Sequence, residues 1–208
     1  KVTNEKFVFS MGEFWPRGEN GSVLHEAYGE VNSVDKTKGY SLFLPHGAPP
    51  IPIEKCKSSD WLETAASKIP NGTPKAIIFM SPHHFEETFT VSSHPSPPTL
   101  MDFDSDTNPT ALEQLCKLQY PVKGAPELAA KAASLLINAG ITCNIDETRG
   151  LDHGIWTPLY VMFPEANIPV VSLSVRKDIN AEAHINVGKA LASLVKEGVL
   201  LVGSGEVV

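Results

Sequence analysis

Five short apolar runs, each closed by turn residues, constrain this chain more than any other feature. They are "YSLFLPHG" at 40–47, "PKAIIFMSPHH" at 74–84, "ITCNID" at 141–146, "IPVVSLSV" at 168–175 and "GVLLVGSG" at 198–205. Runs of this length, bounded by Gly, Pro, Asn or Asp, read as buried β-strands. Helical patterns lie between them. "APELAAKAASLLINAG" sets Leu128, Ala132, Leu135 and Leu136 along one face, and Gly140 stands where a C-terminal cap is expected. "NAEAHINVGKALASLVKEG" sets Ile185, Val187, Leu191, Leu194 and Val195 along a mostly single face, with Asn180 as N-cap and Gly198 as its stop. Strands alternating with helices predict an α/β fold: a single domain with a central, largely parallel or mixed sheet flanked by helices. Ligands in such folds gather beyond the carboxyl ends of the strands. "PHG" and "SPHH" both fall there.

The chain has 208 residues, which suits one such domain plus an appendage. Residues 1–38 are polar and weakly periodic, and read as an N-terminal extension that wraps the domain or forms a hairpin; residues 39–208 carry the α/β pattern. The start lacks the long apolar core of a signal peptide. It also lacks an initiator methionine, so the true N-terminus is expected to be missing. A formal net charge of -7 argues against non-specific binding to nucleic acid or to an anionic membrane. No run approaches the roughly 20 apolar residues of a membrane span. Cys56, Cys116 and Cys143 are odd in number and far apart, and read as reduced, mostly buried thiols of a cytoplasmic protein. Val91 to Pro121, rich in Pro, Ser and Asp, is expected to be a long loop over or beside a site.

The chemistry rests on histidines, of which there are seven. His25, His94 and His184 read as ordinary surface or hydrogen-bonded residues. His46, His83 and His153 each follow an apolar segment or turn and are flanked by Pro or Gly. Singly, each could be a hydrogen-bonded loop histidine; jointly, three imidazoles at loop positions of one sheet can converge on a metal ion. His84 should point away from His83 in an extended chain. Glu86 and Glu87 are either carboxylates that orient a ligand imidazole or a solvated acidic pair. Asp152 could tune His153, although sequence neighbours often face apart. Ser204 in "GSGE" lacks the flanks of a GxSxG nucleophile, and neither a Walker motif nor a GxGxxG fingerprint is present.

Four segments, "PHGAPP" at 45–50, "SPHHFE" at 81–86, "GLDHGIWTPL" at 150–159 and "GSGEVV" at 203–208, resemble motifs of the class III extradiol ring-cleavage dioxygenases, in the branch that includes DOPA 4,5-dioxygenase. "YPVKGAPELAAKAASLL" and "FPEANIPVVSLSV" are similar to the segments between those motifs. The resemblance covers roughly residues 40–208, which it marks as an extradiol dioxygenase-like domain lacking its C-terminal part.

The resemblance implies that His46 and His83 bind one Fe(II) or Zn(II) ion, and that His153 is the active-site histidine for acid–base chemistry, sometimes counted with the metal. It implies a catechol, DOPA-like, as substrate together with O2. It places a further metal ligand beyond Val208, supplied by a missing part or by a separate C-terminal chain, so that Val207 and Val208 are expected near the site. "DFDSDTNP" (102–109) departs from an aromatic "DFYGFP"-like segment, and Phe85 replaces a tryptophan, so the catechol need not be DOPA. The alternative is a non-catalytic relative that binds metal or a small aromatic or pigment ligand. A zinc hydrolase is disfavoured because HExxH is absent.

Overall fold

A computed structural model of the protein describes residues 8–9, 41–69, 72–103 and 107–205. The strands are β1 (Val8–Phe9), β2 (Ser41–Pro45), β3 (Ala76–Glu86), β4 (Phe89–Ser92), β5 (Cys143–Asp146), β6 (Val170–Arg176) and β7 (Val199–Gly205). The α-helices are α1 (Lys57–Ala65), α2 (Pro109–Leu115), α3 (Pro126–Asn138), α4 (His153–Met162) and α5 (Ala181–Lys196). The strands form one sheet in the order β1-β2-β7-β3-β6-β4-β5. All neighbouring pairs are parallel except β4 with β6. The expected single α/β domain with a mixed sheet is the fold that forms.

Each face of the sheet is covered. Leu44, Ile77, Phe79, Leu200 and Val202 pack toward Leu62 of α1, Leu115 of α2, and Ile155, Trp156 and Leu159 of α4. On the opposite face Ile78, Val171 and Leu173 meet Ala129, Ala132 and Leu136 of α3 and Val187, Leu191 and Leu194 of α5. The period-2 alternation of Ile77 and Phe79 against Ile78 is what sends neighbouring residues to different layers. Each fully buried Leu, Ile or Phe contributes roughly 1.5–3 kcal/mol relative to exposure. Ile185 does not share the buried face of α5. It is 58% exposed, because the face runs through Val187, Leu191 and Leu194 at i, i+4 and i+7, and a residue two places earlier lies on the far side. Gly140 and Gly198 take φ of +77° and +95° just past α3 and α5, the left-handed stops that the sequence indicates.

Three expectations need correction. The stretch 91–121 is not one loop: it begins inside β4 and contains α2, whose N-cap Asn108 accepts from the backbone N–H groups of Thr110 and Ala111. The cysteines are not mostly buried, since Cys56 and Cys116 are exposed and only Cys143 is covered. Cys56 instead caps α1, its Sγ accepting from the N–H of Ser59 at 3.5 Å. His153 is not in a loop; it is the first residue of α4, with Asp152 as N-cap. The proposed extension 1–38 lies outside the described residues apart from Val8 and Phe9, which pair with Leu42 and Phe43 of β2. Val207 and Val208 lie outside them as well.

Candidate metal centre

The site forms where β2, β3 and β7 end beneath the first turn of α4. His46 is the residue after β2. Leu44, two residues earlier, pairs with Ser204 of β7, so Ser204 and His46 lie on the same face. His46 Nδ1 sits 3.0 Å from Ser204 Oγ.

His83 owes its position to an irregularity in β3. Ser81 pairs with Ser174 and Phe85 with Val175, so Pro82, His83 and His84 are extra residues on one strand with no counterpart on β6. Such a bulge re-aims side chains that a regular strand would direct by alternation alone. His83 reaches His46, Nε2 to Nε2, at 3.2 Å. His84 turns into the protein, fully buried, with Nδ1 2.8 Å from Ser172 Oγ. The two rings do point apart, as expected of adjacent residues.

His153 completes the cluster. Its ring centroid lies 3.9 Å from that of His83 and 5.9 Å from that of His46. One nitrogen from each of His46, His83 and His153 falls within 4.8 Å of the others. Two nitrogens bound about 2.1 Å from one ion lie roughly 3.0–3.4 Å apart, so the 3.2 Å between His46 and His83 fits a shared ion. Burial, together with the neighbouring His83 and His153 and despite an opposing effect of Asp102, lowers the His46 pKa to about 4. Its imidazole is therefore neutral near pH 7, the form that binds metal.

The segment before α2 holds His153. Leu100 and Leu151 exchange backbone contacts: Leu100 N–H donates to Leu151 O and Leu151 N–H to Pro98 O, both at 2.9 Å. Gly150 permits this crossing, because a Cβ there would lie 2.4 Å from Pro98 O. Trp156 Nε1 donates to Leu100 O at 2.9 Å. Trp156 and Pro158 are both buried. Asp102 then meets His153 twice, Oδ1 accepting its backbone N–H at 2.8 Å and Oδ2 facing Nδ1 at 3.1 Å. Burial pushes the Asp102 carboxyl up, but its hydrogen bonds to His153 outweigh that and hold it below the usual carboxylate value. The ring of Phe103 stands 6.0 Å from that of His153.

A second carboxylate ties the two histidine-bearing segments together. Asp152 is fully buried. It accepts from Ser81 Oγ at 2.6 Å and from Arg149 Nη2 at 3.2 Å. The same Arg149 Nη2 donates to the carbonyl of His83 at 3.0 Å, and Ser81 Oγ accepts the His83 N–H at 3.2 Å. Desolvation raises the Asp152 pKa, opposed by the bond from Ser81 and by Arg149.

The remaining sequence candidates lie elsewhere. Glu87 pairs with Lys177 at 3.1 Å on the surface, as the solvated alternative has it, and the Glu86 carbonyl accepts the Lys177 N–H. The carboxylate at His153 is Asp102, which sequence reasoning grouped only with the acidic residues of a changed pocket segment. A carboxylate preserved at the head of a "DF" motif was the available signal. His94 accepts from the N–H of Ser96. His184 binds Asn180 O and the N–H of Arg176 with its two ring nitrogens. His25 lies outside the described residues. Ser204 serves His46.

The residue after β2, the bulge of β3 and the first turn of α4 thus bring together three imidazoles that could hold one metal ion, and comparison with known proteins identifies the family. Residues 40–208 match the LigB family, described as the catalytic LigB subunit of aromatic ring-opening dioxygenase, and the chain belongs to that family. It is 40% identical over 164 residues to 4,5-DOPA dioxygenase extradiol of Mirabilis jalapa, covering 78% of this chain and 60% of that protein. The protein of the same name from Beta vulgaris is 40% identical over 177 residues (84% and 64%), and that of Escherichia coli K12 is 35% identical over 175 residues (84% and 62%). A crystal structure of an uncharacterized Escherichia coli K12 protein superposes with a TM-score of 0.60 at 32% identity, covering 81% of this chain and 60% of that one. The chain thus spans 60–64% of the length of these plant and bacterial relatives. Among the described residues no helix is long and apolar enough to cross a membrane.

Proposed function

We propose that the protein is an extradiol dioxygenase that inserts O2 into the ring of a catechol, DOPA-like in class, at a mononuclear Fe(II) or Zn(II) site. The observation that carries this reading is the convergence of His46, His83 and His153 with a carboxylate on the third imidazole. The names of the plant and bacterial relatives support the ring-opening chemistry. His46 and His83 would hold the ion. When bound there, the ion supplies Lewis acidity for the catechol oxygens and, as iron, the electron chemistry that O2 needs.

His46 offers a neutral imidazole backed by Ser204. His83 offers a second on a bulge held at both its N–H and its C=O. His153, at the start of a helix and braced by Asp102, is positioned to take a proton from a catechol hydroxyl and to return one during cleavage. Phe103 supplies an apolar wall on the same side. The names of the relatives, rather than this contact, favour the enzyme over the binding-protein alternative, because a carboxylate on Nδ1 suits a metal-ligating imidazole as well as a proton carrier.

The test uses the full-length natural protein, loaded with Fe(II) without oxygen and then given air-saturated buffer and a panel of catechols. Oxygen uptake with a ring-opened, visibly absorbing product is expected. His153→Ala should keep the metal and lower turnover on the order of 10²–10⁴-fold. No uptake with any catechol by protein carrying a full complement of iron would sink the reading. Loss of the metal in His153→Ala would make His153 a ligand instead.

A further inference from the structure

We infer that Asp102 is a positioning residue that selects a single tautomer of His153, with the proton on Nδ1 and the lone pair on Nε2. This inference rests on the reading of His153 as a proton carrier beside the metal ligands. An ionised carboxylate only accepts hydrogen bonds. Asp102 Oδ2 faces His153 Nδ1 at 3.1 Å, so that nitrogen must be the donor. In a neutral imidazole the other nitrogen then carries the lone pair.

The carboxylate cannot easily swing away, because its other oxygen is occupied by the backbone N–H of the same residue at 2.8 Å. Both atoms that Asp102 grips belong to His153, one on the ring and one on the main chain, so the ring's rotation is restrained together with its proton. The strap that carries Asp102 is itself fastened, by the Leu100–Leu151 backbone pair and by Trp156 Nε1 on Leu100 O. On the helix side Thr157 Oγ1 donates to His153 O at 2.7 Å and holds the first turn.

The arrangement makes asparagine a selective probe. A backbone N–H can only donate, so in Asp102→Asn the amide oxygen of the new side chain must take that contact. The amide NH2 is then aimed at Nδ1, which can accept it only after the ring proton moves to Nε2. Asp102→Asn is therefore nearly isosteric yet inverts the tautomer. An aspartate that fixes an imidazole tautomer in this way acts through the histidine and never touches substrate.

The experiment is 15N NMR of the full-length protein with 15N-labelled histidine, loaded with diamagnetic zinc and held at pH 8. The His153 signals are assigned by their loss in His153→Gln. The wild type should show a protonated Nδ1 and an unprotonated Nε2, and Asp102→Asn should show the reverse. Any other pattern in the wild type, such as Nε2–H or a rapidly averaging pair, overturns the inference, and this half needs no variant to fold. An unchanged tautomer in a folded Asp102→Asn overturns it too. With iron and a catechol, Asp102→Asn should lower kcat on the order of 10²–10⁴-fold while KM changes little. Expected tautomers in a wild type that opens no catechol ring would strike the proposed reaction and leave the role of Asp102 standing.

Discussion

The ring of His83 occupies the space where a side chain on residue 154 would have to go. A Cβ built on Gly154 would lie 2.7 Å from His83 Cδ2, 2.8 Å from Ser81 Oγ and 3.2 Å from Asp152 Oδ1. The glycine is thus required by the approach of two segments, at a helical position where alanine would ordinarily gain about 0.5–1 kcal/mol.

Gly154→Ala is accordingly expected to reverse that sign. Overpacking of this kind costs about 1–3 kcal/mol, and any relief has to displace the His83 ring, the Ser81 hydroxyl or the Asp152 carboxylate, which hold the site together. Chemical denaturation and zinc titration should show lower stability and weaker metal binding together. A variant that gains stability and binds zinc normally would show that the contact is not tight.

Ser204→Ala removes the hydroxyl facing His46 Nδ1 and little else, since Ser204 is small and lies in the interior of the sheet. Loss of a group that orients a ligand imidazole weakens metal binding on the order of 10–100-fold. Competition with a chelator measures this directly. Unaltered affinity would mean that His46 is oriented by its backbone alone.

Arg149→Met is expected to destabilise the protein by about 1–3 kcal/mol. Its guanidinium is 22% exposed while Asp152 is fully buried, so the loss falls below the usual penalty for breaking a fully buried pair. The variant leaves the Asp152 carboxylate with Ser81 as partner and frees the His83 carbonyl. Arg149→Lys should recover part of the loss as a point charge without the fork. Urea unfolding of both variants compares the two.

Acid should weaken the metal-free protein. The His46 and His84 pKa values fall from 6.5 to about 4 and about 3, in each case chiefly through burial. For His84 the nearby Arg149 adds to the fall and Asp146 opposes it. Below about 6.5 the unfolded chain takes up protons that the folded chain refuses, so stability is complete above that pH. It is lost as pH falls through the window down to about 4 and 3. Each proton of difference contributes a slope of about 1.4 kcal/mol per pH unit. Thermal midpoints between pH 7.5 and 4 should fall for the wild type and fall less steeply for His46→Gln. Equal slopes would place the titration elsewhere.

The sequence by itself determined the layers and the imidazoles. Apolar runs such as 76–80 and 199–202 have little choice but to form buried strands, and helix faces such as Val187, Leu191 and Leu194 follow from the helical period; both are local properties. His46, His83 and His153 stood out because turn residues and strand ends are also written locally. The partners of those histidines were not legible in this way. Asp102 is 51 residues from His153, Ser204 is 158 from His46, and Ser81 is 71 from Asp152. No period links such positions; only the sheet order and the crossing of the 98–103 strap over Leu151 bring them together. Glu86 and Glu87 attracted attention because they are close in sequence, yet the three-residue bulge turns His83 toward α4 and leaves Glu87 to Lys177 on the surface. The same bulge made His83 a site residue and His84 a core residue. Which of two adjacent histidines faces the site was decided by pairing between β3 and β6, a contact between distant stretches of chain.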